Sequence, residues 1–107
     1  MKKSMTSFIN VISDSKFEIL EEIIDEKYSQ FTTLYWMIKS YSDYITKLQY
    51  KESKKEVLKI DVYFAHIKPD IVLKKLNKYL DREELTGIIL KREGKVIHVE
   101  ITKPSEE

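Results

Sequence analysis

Hydrophobic residues recur in this chain with two different spacings, and this change of spacing limits the fold class more than any other feature. In the first half of the chain they recur every three or four positions, which is typical of helices packed on one side. Between Leu58 and Phe64 they occupy every second position, which is typical of a half-buried strand. The sequence therefore predicts an α+β domain. A length of 107 residues fits a single domain over residues 1–107.

The first predicted helix covers residues 15–27. Ser15 can cap its first turn while the side chain of Glu18 reaches back, which is the capping-box pattern. Its hydrophobic stripe consists of Phe17, Leu20, Ile24 and Tyr28. Its other side is strongly acidic, with Glu18, Glu21, Glu22, Asp25 and Glu26. We interpret the acidic side as a solvated face, and a docking surface for a basic partner is the alternative.

The second predicted helix covers residues 29–50, and it is hydrophobic around most of its circumference. One stripe contains Phe31, Leu34, Tyr35, Ile38, Tyr41, Ile45 and Leu48. Trp36, Met37 and Tyr44 lie off this stripe. A helix of this kind needs burial on more than one side, and these three residue types are enriched at protein interfaces. Trp36, Met37 and Tyr44 are therefore predicted to form an oligomer interface, with packing inside one chain as the alternative.

The remaining segments alternate between strand and helix patterns. Residues 6–12 are predicted to form a short first strand, and residues 51–56 a solvated linker that precedes a strand at 57–65. Pro69 opens a third helix with Asp70 in its first turn, where the helix dipole favours an acidic side chain.

The end of the chain is predicted to form a β-hairpin that turns at Glu93-Gly94. This register places four hydrophobic residues on one face as two cross-strand pairs, Leu90 with Ile97 and Ile88 with Val99. A helix over 82–93 is the alternative, but Gly87 and the Ile88-Ile89 pair disfavour it. The predicted fold is thus α+β: a small mixed sheet of three or four strands with a C-terminal β-hairpin, packed against two or three helices.

No pattern in the sequence indicates catalysis. The chain has no cysteine, which excludes disulfides, thiol catalysis and zinc-thiolate sites. It also has no glycine-rich phosphate loop and no His-Glu-x-x-His pair. His66, His98 and Asp61 would make only an incomplete metal site if the fold brought them together. We prefer to interpret His66 as a loop residue and His98 as a residue of the outer sheet face. The sequence therefore predicts no enzyme, no cofactor, no metal and no small-molecule substrate.

Basic residues are concentrated in the middle of the chain, between two net-acidic ends. The third helix and the hairpin supply candidates for a nucleic-acid-binding patch: Lys74, Lys75, Lys78, Arg82, Lys91, Arg92 and Lys95. Tyr63 and His98 on the outer sheet face are candidate stacking surfaces for bases. A lysine-rich solvated surface is the simpler interpretation.

The same sequence gives expectations about location and role. The longest hydrophobic run, Leu34 to Ile38, is far shorter than the roughly 20 residues of a membrane helix. No signal-peptide pattern follows Met1, so a cytoplasmic location is expected. A charged fraction of 35% with only two glycines and two prolines suits a thermophile, although an AT-rich genome gives a similar bias. The expected function is a non-enzymatic protein–protein interaction module, a homo-oligomer such as a homodimer or a small subunit of an assembly. The alternative is a nucleic-acid-binding protein that uses the lysine-rich region 47–95.

Overall fold

The computed structural model describes residues 14–53 and 57–103. The predicted strand at 6–12 lies outside these described residues. In chain order the elements are α1 (Asp14–Lys27), a 3-10 turn (Ser29–Phe31), α2 (Thr32–Lys39), a second 3-10 turn (Ser42–Tyr44), β1 (Ile45–Glu52), β2 (Val57–Phe64), α3 (Pro69–Glu83), β3 (Ile88–Glu93) and β4 (Val96–Thr102).

The four strands form one sheet in the order β1-β2-β4-β3. The chain therefore has an α+β fold with the expected C-terminal hairpin. Every neighbouring pair is antiparallel, so the sheet is not mixed as predicted. The difference arises because the strands before and after α3 are not neighbours. The hairpin places β4 between β2 and β3, and no parallel contact results.

The predicted helix over 29–50 is wrong in its second half. The helix ends at Lys39, where the Ser40 hydroxyl donates to the Met37 carbonyl at 2.6 Å. The chain then enters β1 at Ile45. A β-bulge between Ile45 and Lys47 shifts the register, so that Ile45 and Leu48 both face the core although they are three positions apart. The same spacing of three positions is found on one face of a helix, so the sequence pattern resembles that of a helix.

The predicted linker at 51–56 is also wrong in part. Lys51 and Glu52 belong to β1, opposite Lys59 and Leu58 of β2. Residues 54–56 lie outside the described part of the chain.

The predicted helices α1 and α3 are confirmed, and each buries hydrophobic residues at helical spacing. α1 contributes Leu20 and Ile24 to the core, and α3 contributes Val72 and Leu76. The core also contains α2 residues and the inner face of the sheet. No polar or charged side chain is buried among the described residues. The described helices include none that is long and apolar enough to span a lipid bilayer.

The hairpin turns one residue later than predicted. Glu93 pairs with Val96, so that Gly94 and Lys95 form the turn, and Gly94 has a φ of +63°. The register then pairs Leu90 with Val99 and Ile88 with Ile101. The same side chains still face the core because each partner moves by two positions. The alternative helix over 82–93 is wrong because α3 ends at Glu83.

Candidate functional site

The structure places the predicted oligomer-interface residues on two different elements. Trp36 lies on α2 with 46% of its surface exposed, and Tyr44 lies in the second 3-10 turn with 40% exposed. Met37 packs partly against the core. Because the helix ends at Lys39, the three residues do not form one stripe of a long helix. Their role in an interface remains a prediction.

Four of the predicted basic residues come together on the exposed side of α3: Lys74, Lys75, Lys78 and Arg82. Arg82 lies over the ring of Tyr79 and pairs with its neighbour Glu83 at 3.3 Å. Within residues 14–53 and 57–103, the three lysines form no ion pair. The side of α3 that faces solvent is therefore basic.

The basic residues of the hairpin do not continue this surface as one patch. Lys91 lies on the outer sheet face opposite His98. Arg92 lies at the edge of the inner face, where its Nε atom is 2.6 Å from Oδ1 of Asp70 on α3. Lys95 lies in the turn.

The acidic side of α1 borders a buried tyrosine of α2. The Tyr35 hydroxyl donates to the Phe17 carbonyl at 2.9 Å. Burial, and then the charges of Glu21, Asp25 and Glu18, raise the pKa of Tyr35 to about 12. The rest of the acidic side stays exposed to solvent or partly so, in agreement with a solvated face.

His98 and Asp61 meet on the outer face of the sheet, whereas His66 is exposed after β2. The ring of His98 lies between Asp61 at 2.6 Å and Glu93 at 3.1 Å, and each carboxylate contacts a different ring nitrogen. Both nitrogens are therefore occupied. The described residues contain no group of three histidine or acidic residues that could hold a metal ion.

The strand β3 forms one edge of the sheet, and its outer backbone groups have no partner strand among the described residues. The Thr102 backbone N–H donates to the Gly87 carbonyl at 2.8 Å. Hydrogen-bonded and non-hydrogen-bonded pairs alternate along an antiparallel ladder. The backbone N–H and C=O groups of Ile88, Leu90 and Arg92 consequently point away from β4. We call this row of groups the open edge.

The first three side chains of β3, at 88–90, are hydrophobic, and the last three, at 91–93, are charged. Ile89 projects from the outer face with 62% of its surface exposed, more than any other described large hydrophobic residue. Ile88 and Leu90 are half-buried on the inner face. The pairing with β4 is regular from Ile88 to Glu93, without a bulge. The strand contains no proline.

The opposite edge of the sheet, at β1, is covered in part. The Lys16 ammonium donates to the Leu48 carbonyl at 3.0 Å and occupies an acceptor of this edge. Glu52 accepts hydrogen bonds from Lys27 at 3.2 Å and from the Tyr28 hydroxyl at 3.0 Å. The bulge at the start of β1 adds to this protection. Charges and bulges are the features by which proteins prevent an edge from pairing with another strand.

The open edge cannot be predicted from the sequence, because edge position is a property of the sheet order. The strand pattern of Ile88 to Glu93 is visible in the sequence. One residue in the sequence indicates an exposed strand. Ile89 is hydrophobic, although the alternation of β3 places it on the outer face of the sheet.

Comparisons with known proteins identify no relative. No family model matches the chain, and the searches of curated proteins and of solved structures each found no match. The functional proposal therefore rests on the geometry of the molecule.

Proposed function

We propose that this protein is a non-enzymatic protein–protein interaction module that accepts an extended strand of a partner at the open edge of β3. The observation that carries the proposal is the contrast between the two edges of one sheet. The Lys16 ammonium occupies the Leu48 carbonyl at the edge of β1, whereas the N–H and C=O groups of Ile88, Leu90 and Arg92 face outwards at β3. A strand added there gains main-chain hydrogen bonds, and side-chain pockets supply selectivity.

The side chains of β3 give such a strand an apolar surface. A strand beside Ile89 would remove the most exposed large hydrophobic residue of the described chain from water. It would also cover the outer parts of Ile88 and Leu90. Burial of apolar surface contributes roughly 25 cal/mol per Å². Main-chain pairing and apolar burial therefore act at the same place.

The non-enzymatic character is supported by the chemistry of the polar side chains. His98 forms a group of three titratable residues with Asp61 and Glu93 on the outer face. Both ring nitrogens of His98 are engaged within the chain, so a substrate would have to displace Asp61 or Glu93 to reach either nitrogen. The group also lies on an open sheet face, where water has access.

The proposal is tested with a generic strand probe, a synthetic peptide of alternating valine and threonine, added to dilute ¹⁵N-labelled protein. We expect the amide signals of Ile88, Leu90 and Arg92 to shift. Ile89→Lys places a charge on the edge and should abolish the shifts. Ile71→Lys is the matched control, because Ile71 is a similarly exposed isoleucine, with 49% exposed, on α3. If millimolar peptide leaves the β3 signals unchanged, the proposal is wrong.

Nucleic-acid binding is a second candidate function, and the basic side of α3 favours it. Lys74 and Lys78 are four residues apart, a spacing at which like charges repel by a few tenths of a kcal/mol. Phosphates would relieve this repulsion. The acidic residues Asp70 and Asp81 belong to the same helix, however, and they limit the basic area because they line one groove with Lys74 and Lys78.

This second candidate predicts binding to a short duplex that weakens steeply with salt, because each neutralised phosphate releases a counterion. Lys75→Glu combined with Arg82→Glu should abolish the binding, and Lys103→Glu, which lies after the end of β4, is the control. Absence of binding at about 50 mM salt would eliminate the candidate, because electrostatic contacts are strong there.

A further inference from the structure

We infer that the strand accepted at the open edge is β3 of a second copy of this chain, paired antiparallel about a twofold axis at Ile89. The inference rests on the proposed function and names its partner. The two four-stranded sheets would join into one continuous sheet. Twofold pairing uses the same surface on both copies, and it is the commonest symmetry of small soluble oligomers.

The side chains of β3 distinguish between the possible registers. Residues directly opposite each other in an antiparallel pair lie on the same face of the sheet. With the axis at Ile89, Ile89 faces itself on the outer side, and Ile88 faces Leu90 on the inner side. Lys91 then lies opposite Gly87, so no like charges face each other.

The neighbouring registers are less favourable. An axis at Leu90 places Ile89 opposite Lys91 and Ile88 opposite Arg92, which sets hydrophobic residues against cations. An axis at Lys91 places two lysines directly opposite each other, which is destabilising. The register at Ile89 is the one that buries all three hydrophobic residues of β3.

The helix α3 supplies charge complementarity in the same register. Arg92 contacts Asp70, which fixes the alignment of α3 over β3, and the two elements run in opposite directions. From Arg92 to Ile89 the strand advances by roughly 10 Å, which equals about seven residues of helix. Asn77 therefore lies nearest to the twofold axis, with Lys74 on one side and Asp81 on the other.

The twofold axis would then bring Lys74 of each copy beside Asp81 of the second copy. Lys74, Asn77 and Asp81 line the same open groove along α3. Asp70 also lines this groove, and it contacts Arg92 of β3. α3 packs on both β3 and β4. Since strands lie about 4.8 Å apart, the two α3 helices would be about 10 Å apart, which is a normal distance for packed helices.

The first experiment uses the absence of cysteine from the chain. We expect wild-type protein to sediment as a dimer and Ile89→Cys to form a disulfide-linked dimer under mild oxidation. Lys91→Cys is the matched control: in this register its two copies lie roughly 13 Å apart along the strand, beyond the reach of a disulfide. Cross-linking of Lys91→Cys instead of Ile89→Cys would overturn the register.

The second experiment is a charge exchange. Lys74→Asp and Asp81→Lys should each weaken the dimer roughly three- to tenfold, and the double variant should recover most of the affinity. Equal dimer affinity in all four proteins would overturn the helix contact.

The outcomes separate this inference from the proposed function. If wild-type protein stays monomeric at high concentration while the valine–threonine peptide still shifts the β3 signals, the second copy is the wrong partner and the open edge is still the interaction site. If neither the peptide nor a second copy contacts β3, both proposals fail.

Discussion

The Nδ1 atom of His98 on β4 lies 2.6 Å from Oδ1 of Asp61, its direct partner on β2. The Nε2 atom lies 3.1 Å from Oε1 of Glu93 at the end of β3. One imidazole ring thus connects three strands across the outer face of the sheet. Both ring nitrogens are donors only in the protonated ring, so this arrangement favours the cation.

The first prediction concerns the pH dependence of stability. The hydrogen bond to Asp61 raises the pKa of His98 above its usual value of 6.5; partial burial opposes this, and Glu93 acts in the same direction as Asp61. Because the pKa of His98 is raised in the folded state, its ion pairs contribute fully to stability below the unfolded pKa of about 6.5. This contribution to stability is lost as the pH rises through the folded-state pKa of His98. The free energy of unfolding, measured with denaturant at constant ionic strength, should therefore fall over this interval.

Two variants test the origin of this dependence. Asp61→Asn should flatten it, because the main cause of the raised pKa is removed. His66→Asn is the control and should retain it, since His66 lies outside the network and its φ of 67° suits asparagine. A wild-type stability that does not change between about pH 6 and pH 8 would contradict the prediction.

The second prediction concerns two lysines that face each other on the outer sheet face. Lys51 of β1 lies directly opposite Lys59 of β2. Like charges at this position are destabilising, so Lys51→Glu should raise the free energy of unfolding by roughly 0.5 kcal/mol. Lys47→Glu is the matched control: the Lys47 ammonium lies 5.0 Å from the ring centre of Tyr63, and this variant loses an attractive contact. If both variants change stability equally, the repulsion is not the cause.

The third prediction concerns the end of α3. Glu84 has a φ of 55°, a left-handed conformation that is strained for most residues other than glycine, asparagine and aspartate. Glu84→Gly should relieve this strain and stabilise the protein by less than about 1 kcal/mol. The gain is limited because glycine increases the conformational entropy of the unfolded chain. Lys75→Gly within the same helix should instead destabilise it by about 1 kcal/mol. Thermal unfolding of the two variants measures both signs, and a loss of stability in Glu84→Gly would contradict the prediction.

Local patterns predicted those parts of the fold that depend on neighbouring residues. The spacing of Val72, Leu76 and Leu80 identified α3, and the alternation from Leu58 to Phe64 identified β2. The turn residue Gly94 identified the hairpin, but the turn lies one residue later in the structure than the sequence predicts. For α3 and β2, hydrophobic residues at a regular spacing along the sequence form the face that packs on the core.

Features that depend on distant parts of the chain could not be predicted in this way. The three-residue spacing of Ile45 and Leu48 indicates a helix, because the bulge that reconciles this spacing with a strand exists only beside β2. The open edge of β3 and the partly covered edge of β1 follow from the strand order, which no local pattern specifies. The contact of Lys16 with the Leu48 carbonyl is likewise set by the packing of α1 beside β1.

The last prediction decides between the open edge and the predicted interface of Trp36, Met37 and Tyr44. Lys39 lies 5.2 Å from the ring centre of Trp36 and 5.8 Å from that of Phe17, so Trp36 lies towards α1. The open edge borders α3.

Trp36 is the only tryptophan, and its fluorescence therefore reports on its own surroundings. We expect its emission maximum to stay constant as the protein dimerises, and Trp36→Glu to leave the dimer intact. Ile89→Lys should dissociate the dimer without a change in emission. Trp36 would then be available to a further partner in an assembly, since exposed tryptophans are frequent contact residues. A blue shift that follows dimerisation, together with a monomeric Trp36→Glu, would instead place the twofold interface at α2, because only a contact that covers the indole ring produces both results.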